Sequence, residues 1–384
     1  MKRFLLATSL GCVLISCTHD TGPEPKAVRS NNTLSTAQDS MVDGILRPYV
    51  SGAAIAGASL TLVDGNDARS YHYGETRLGN GTLPGAATRY ELGDVTQTFT
   101  AALLLSWLQS GNRSADDYIS AWLPADLAPR LRFNNGEVTF RQLLNHCSGL
   151  PRLTSDLLPG TDPYRGYDST RLYGYIATHY LLHTPGILPA TEVEAREYYS
   201  PLAYALAGTL LERQTGQPLQ QLLESTLLSP LGMSATTIDG AGSDPAAATP
   251  HNNNGPVPAG QSAAFAGAVG LRSTSADMTR YLRAQLAAGN SSSSGGSTVP
   301  GIFLLATQIP VVQVGGRDYF GMGWQYYFTR AGRIIVYKEG SAAGSSAWVA
   351  FDRDSRKGLV LLCNNGPDGG SGRSAAALME AFFR

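Results

Sequence analysis

The chain has 384 residues, with 29 Lys+Arg against 30 Asp+Glu, a formal charge of −1, 43 % hydrophobic residues and only 15 % charged ones. That balance excludes a disordered or fibrous chain and supplies apolar material for one large domain or two interleaved ones. Four of the basic residues are lysines (Lys2, Lys26, Lys338 and Lys357) and 25 are arginines, with no basic cluster in the body of the chain. A surface tracking nucleic-acid phosphates is therefore not expected.

Lys2 and Arg3 precede an apolar stretch from Phe4 to Ile15. It is too short for the ~20 residues that span a bilayer, and it matches a secretory signal. It runs into Leu14-Ile15-Ser16-Cys17, which resembles the lipobox of bacterial lipoproteins. Residues 1–16 are then a leader, and acylated Cys17 is expected to anchor an exported protein to the lipid membrane of the bacterial cell envelope, facing the periplasm or the cell surface. The alternative is an ordinary signal peptide with an incidental cysteine. Two cysteines remain beyond it, Cys147 and Cys363, each preceded by a pair of leucines. Buried free thiols are expected there, although an oxidising compartment would permit pairing.

Residues 17–34 are polar and lack periodic hydrophobics, so they read as a flexible tether to a domain over 35–384. In that domain a helix is predicted from Ser35 to Tyr49. Two strands follow, Ala54–Val63 and Arg69–Gly74, about an Asp64-Gly65-Asn66-Asp67 turn. Val95–Leu108 is apolar almost all round, as a buried helix is, and Gly111 closes it. From about 112 to 290 helical segments alternate with Pro/Gly loops, and Asn290–Thr298 reads as a Ser/Gly-rich surface loop. Strands at Arg333–Lys338, Ser346–Phe351 and Gly358–Cys363, then a helix over Ser374–Phe383, complete the chain. The pattern predicts an α+β fold: an antiparallel sheet built from both ends of the chain, flanked by helices, with a helical subdomain inserted.

Several segments carry more specific information. They are Tyr90-Glu91-Leu92-Gly93 followed by Thr98-Phe99-Thr100-Ala101; Leu143-Leu144-Asn145-His146-Cys147-Ser148-Gly149-Leu150-Pro151; Tyr199-Ser200 with Tyr204-Ala205-Leu206-Ala207-Gly208; Pro230-Leu231-Gly232-Met233; Gly270-Leu271-Arg272-Ser273-Thr274; and Lys338-Glu339-Gly340 with Gly344 beyond. In this order they resemble the serine β-lactamase and penicillin-binding superfamily, in the branch of class C β-lactamases, D-Ala-D-Ala peptidases and esterases. The resemblance implies the β-lactamase/transpeptidase-like fold and a cleft at positions Asp94, Gln97, Tyr199, Pro201, Lys338 and Gly340.

That family's acyl transfer needs Ser-x-x-Lys, a serine nucleophile with a lysine one helical turn later. Here the matched positions hold Asp94 and Gln97. The residues three before Lys26, Lys338 and Lys357 are Pro23, Ile335 and Asp354, so no Ser-x-x-Lys exists anywhere in the chain. The third residue of the family's Tyr-x-Asn is Pro201, which lacks both a side-chain amide and a backbone N–H. Tyr199, with a reference pKa near 10, has no matched serine to deprotonate, and a half-buried aromatic is an equal reading of it. Asp94 and Gln97 form a capping-box pattern for a helix start, and an ion pair between Asp94 and Lys338 across the cleft is a further expectation.

The expectation is a protein of this fold without acyl-enzyme chemistry and without cofactor or metal. Its ligand pocket, formed by Asp94, Tyr199, Lys338 and Ser341, would take a peptidoglycan-type peptide or an envelope protein. An active hydrolase with a rearranged site and a purely structural surface protein remain open. His179 and His183 stand four apart on a predicted helix, but Tyr180 occupies the place of a zincin glutamate and no third ligand is evident. Ser148, Ser200 and Ser341 lie near the matched motifs without a neighbouring base in any recognised pattern, and His146 reads as structural.

Overall fold

A computed structural model describes residues 27–52, 56–133, 136–179, 181–186, 198–238, 244–288, 301–310, 312–314, 318–366 and 369–384. The leader, Cys17 and the Asn290–Thr298 loop lie outside the described residues.

Helix α1 (Ala37–Val50) begins at a complete capping box, Thr36 accepting from the Asp39 N–H while the Asp39 carboxylate accepts from the N-cap backbone. It buries Val42, Leu46, Tyr49 and Val50. Strands β1 (Gly57–Asp64) and β2 (Asp67–Gly74) form a hairpin paired from Gly57↔Gly74 to Asp64↔Asp67. The turn is tighter than the sequence suggests, because Asp64 and Asp67 already belong to the ladder. Strand β3 (Arg89–Glu91) leads through a 3-10 turn at Gly93–Val95 into α2 (Thr96–Ser110), whose residues from Thr96 to Leu105 are all buried. Next come α3 (Phe140–Leu144), α4 (Ser169–Thr178), α5 (Pro201–Thr215), β4 (Thr237–Ile238), β5 (Leu271–Thr274), α6 (Ser275–Ala287) and α7 (Gly301–Gln308). The chain ends with β6 (Val312–Val314), β7 (Asp318–Phe320), β8 (Gln325–Phe328), β9 (Ile334–Ser341), β10 (Ser346–Asp352), β11 (Lys357–Cys363) and α8 (Ser371–Phe382).

Among the described residues eight strands make one sheet in the order β6-β7-β8-β9-β10-β11-β1-β2, with every neighbouring pair antiparallel. The N-terminal hairpin is thus joined to the C-terminal strands at β1–β11, as the α+β expectation requires. Alternation along the strands gives the sheet two apolar faces. Leu359, Leu361 and Cys363 pack with Leu46, Leu60 and Leu378 on the side of α1 and α8. Val360 and Leu362 join Phe99, Leu104, Tyr281 and Leu282 of α2 and α6 on the other. A small sheet, β3-β5-β4, sits beside the second layer.

Three differences from the sequence reading stand out. The end of the supposed tether is docked along β2: Gly74 N–H donates to Arg29 O at 2.9 Å, Asn31 N–H to His72 O at 3.3 Å, and Asn32 Nδ2 to Tyr73 Oη at 2.7 Å. An edge strand has free backbone groups to satisfy, and this polar segment supplies partners for them. Strands β6–β8 are missing from the sequence reading because each has only three or four residues, and Gly321 and Gly323 interrupt the chain between β7 and β8. Finally, α4 stops at Thr178, leaving His179 as its extended C-cap, stacked on Tyr175, while His183 lies beyond the helix, stacked on Tyr198. The two histidines therefore share no helical face, and among the described residues no three His, Cys, Asp or Glu side chains converge as a metal site. Cys147 and Cys363 are both buried and free.

Candidate active site

The N-terminal end of α2 meets the C-terminal end of β9 at backbone contact distance, and two glycines allow it. A Cβ on Gly340 would lie 1.9 Å from Leu92 O. Gly93 adopts φ +51°, where a Cβ would lie 2.5 Å from Ser341 N. Any larger residue at 340 would push strand and helix apart.

This contact sets Asp94 against Ser341. The partly exposed Asp94 carboxylate accepts from the Ser341 backbone N–H and from Gln97 Nε2 at 2.7 Å. Burial raises its pKa, opposed by the charges of Lys338 and Arg152, a hydrogen bond from Tyr199 and the Ser341 N–H. The capping box expected of Asp94 and Gln97 is not formed. Helix α2 has Val95 as its N-cap with no side-chain cap bond, because the preceding 3-10 turn directs the Asp94 side chain into the cleft, where it meets the Gln97 side chain instead of the backbone.

Gln97 is the hub. Its carboxamide is fully buried, and Oε1 accepts from Lys338 Nζ at 2.8 Å and from Tyr199 Oη at 3.1 Å. Lys338 Nζ also donates to Tyr199 Oη at 2.9 Å. The expected direct Asp94–Lys338 ion pair is absent from the described contacts, because the Gln97 carboxamide stands between the two groups and bonds to each. Burial lowers the Lys338 pKa to about 8, against the raising influence of Asp94 and Glu339 and with a further lowering from Arg152.

Tyr199 is held on several sides. His146 lies against its ring at 4.2 Å between centroids, while Lys338 Nζ and the Arg152 guanidinium stand 4.7 and 5.0 Å from its centroid. Burial, then the Asp94 charge, pushes its hydroxyl well above 10. Tyr199 is accordingly a neutral phenol that donates to Gln97. Burial and the neighbouring Lys338 charge keep His146 well below 6.5, hence neutral, with Nδ1 accepting from Ser200 N–H at 3.1 Å.

The remaining candidates fall into place around this cluster. Ser200 is the N-cap of α5, its Oγ donating to Pro151 O and accepting from Ala203 N–H. Pro201 is the first helical residue, a position whose N–H has no intrahelical partner in any case. Ser148 is buried and accepts from Leu150 N–H. Ser341 is exposed at the end of β9. None of the three hydroxyls is bonded to a lysine or histidine side chain in these contacts. Arg152 and Phe320, which also flank Tyr199, were missed; Arg152 directly follows the Gly149-Leu150-Pro151 segment, whereas no local pattern marks Phe320.

Beside Ser341 opens a cavity of about 350 Å³, lined among others by Glu91, Asp162, Tyr164, Ser262, Arg272 and Ala342. Arg272 bonds to Gly260 O at 2.7 Å and pairs with Glu91 at 3.4 Å on the cavity wall. The cluster can therefore hold a ligand by charge and hydrogen bonding, but position 94 presents a carboxylate rather than a hydroxyl, and the Thr96 hydroxyl at the head of α2 is buried and accepts from Leu271 N–H.

A profile of the Beta-lactamase family matches residues 42–382. The D-alanyl-D-alanine-carboxypeptidase/endopeptidase AmpH of Escherichia coli (strain K12) is 28 % identical over 378 residues, covering 96 % of this chain and 92 % of that protein. A Beta-lactamase of Pseudomonas fluorescens is 25 % identical over 375 residues, covering 89 % and 98 %. Among solved structures, the Beta-lactamase/D-alanine carboxypeptidase of Yersinia pestis complexed with citrate superposes with a TM-score of 0.75 at 21 % identity, covering 90 % of this chain and 98 % of that one. A class C beta-lactamase superposes with a TM-score of 0.73 at 21 % identity, covering 89 % and 96 %.

Proposed function

The chain belongs to the Beta-lactamase family, and from that membership together with its site we propose that it no longer forms an acyl-enzyme but binds a peptidoglycan-type peptide non-covalently in the old cleft. The observation that carries this reading is the Asp94 carboxylate, which accepts from the Ser341 N–H and Gln97 Nε2. Acyl transfer needs a nucleophilic hydroxyl there and donors left free for the developing oxyanion. Here the side chain that replaces the serine itself takes up the Ser341 donor. Lys338 and Tyr199, the groups that would serve to activate a nucleophile, are spent on Gln97. The adjoining cavity is large enough for a short peptide segment, with Arg272, Glu91 and Ser262 as polar groups on its wall.

The test is intact-mass spectrometry after incubation with a penicillin and a fluorophosphonate, with the Asp94→Ser/Gln97→Lys variant alongside, followed by thermal shift with cell-wall peptides. No adduct on the natural chain and a raised melting temperature with peptide are expected; a native-state ligand at a hundred times its Kd adds about 2.7 kcal/mol. A stoichiometric adduct on the natural chain would restore the active hydrolase, and an unmoved melting temperature with every peptide would leave a structural role.

We further propose that the mature protein is a pseudoenzyme lipoprotein, exported and anchored through Cys17. Among the described residues no helix is long and apolar enough to cross a membrane, so anchoring would rest on acyl chains, each buried CH₂ contributing about 0.8 kcal/mol. Cys17→Ser is expected to move the protein from the membrane fraction to the soluble one, and an unchanged distribution would refute the anchor.

A further inference from the structure

The four side chains Asp94, Gln97, Tyr199 and Lys338 are arranged for a reaction of their own. We propose that Lys338 Nζ condenses with the Gln97 carboxamide, forming an isopeptide bond that ties β9 to α2 and releases ammonia. This goes beyond the ligand reading and is independent of it, since only groups of the chain take part.

The geometry supplies each element the step needs. Lys338 and Gln97 are fully buried, so water competes poorly for the carboxamide. Lys338 Nζ is 2.8 Å from Gln97 Oε1, and attack requires it to pass only from that oxygen to the adjoining Cδ. Tyr199 Oη donates to the same oxygen at 3.1 Å, polarising the carbonyl and stabilising the charge that grows on it. Asp94 Oδ1 lies 2.7 Å from Nε2, the leaving nitrogen. Enclosure leaves more of the amine unprotonated and makes the carboxylate a better proton acceptor, since burial lowers Lys338 to about 8 and raises Asp94.

The balance is simple. The Nζ lone pair forms the bond to Cδ, and the Cδ–Nε2 bond breaks with its electron pair leaving on nitrogen. The Asp94 carboxylate, having taken up one proton, hands it to Nε2, which departs as ammonia. The proton shed by Nζ passes to Tyr199, bonded to Nζ at 2.9 Å, and from Tyr199 to the Asp94 carboxylate that it also contacts. No oxidant, reductant or outside co-reactant is consumed.

Trypsin mapping of the full purified chain tests this directly. A linked chain leaves Lys338 uncleaved and joins the peptide Tyr90–Arg113 to Ile334–Arg353 as one species, lighter than their sum by one ammonia. Gln97→Glu is expected to give the same species with one water lost relative to its own free peptides, and Asp94→Ala to give the free peptides. Full recovery of separate Tyr90–Arg113, Ile334–Lys338 and Glu339–Arg353 from the natural chain overturns the proposal. A link that forms undiminished in Asp94→Ala overturns the proton transfer assigned to Asp94. Should Asp94→Ala fail to fold, the map of the natural chain decides alone.

Discussion

Gln97 holds together more of the site than any other single side chain in the cluster. It satisfies an amine, a phenol and a carboxylate at once, each partly or wholly withdrawn from water. Removing a partner from buried polar groups costs about 1–3 kcal/mol for a neutral group and more for a charged one. Gln97→Leu is therefore expected to lower stability by at least about 3 kcal/mol in denaturant titration, because Lys338 and Asp94 are stranded together. Asp94→Asn keeps an acceptor for Gln97 Nε2 and removes a partly buried charge, so its loss is expected to be smaller. A Gln97→Leu chain as stable as the natural one would mean that water or a rearranged neighbour replaces the carboxamide. At this scale the lack of any Ser-x-x-Lys was legible, since a motif of that kind is a string of letters. The letters did not show what Asp94 and Gln97 bond to. Asp-x-x-Gln is equally compatible with a helix cap and with a cleft network, and the choice was made by the positive φ of Gly93, which turns Asp94 away from the helix end.

Helix α1 illustrates an element whose start was legible and whose electrostatics were not. Asp39 is its capping-box carboxylate, but it also accepts from Tyr71 Oη at 2.9 Å, from Ser35 N–H and Oγ, and from Thr36 N–H, with Arg69 Nη2 at 2.9 Å. Burial alone would raise its pKa; the hydrogen bonds from Tyr71, Ser35 and Thr36 outweigh it and hold the group at about 2, against an ordinary 3.8. A carboxyl depressed in the folded state stabilises fully above its unfolded value and loses that contribution as pH falls through the folded one. The acid limb of a stability profile between about 4 and 2 is thus expected to flatten in Asp39→Asn, measured by denaturant midpoints across that range. An unchanged limb would assign the acid sensitivity elsewhere. Periodicity located α1, α2, α8 and the five long strands because each carries a sustained apolar pattern. It overran α4, whose end at Thr178 follows from His179 turning extended to stack on Tyr175. It passed over β6–β8, which have too few residues to display a period.

For the molecule as a whole, the layers follow from strands that are apolar on both faces, such as Gly358-Leu359-Val360-Leu361-Leu362-Cys363, which feeds one core with odd-numbered residues and the other with even-numbered ones. That pattern is readable in the letters. The register of β1 on β11 across almost the whole chain is not, because no local signal encodes which distant strand completes an edge; strands at both ends with helices between them pointed to a shared sheet, and the likeness of the ordered motifs to a known family agreed with it.

The same pairing governs the order of events during synthesis. The hairpin β1–β2 leaves the ribosome early, yet its partner β11 is among the last segments made, and α1 finds α8 only after that. Bringing such remote segments together must await closure of a loop nearly as long as the protein, which makes folding slow and late. Until then both cores lack a wall: Val349, Phe351, Val360 and Leu362 are missing from one and Leu359, Leu361, Leu378 and Phe382 from the other. The growing chain thus remains without either finished core through most of its translation, an extended period in which a chaperone or a translocation channel can still engage it.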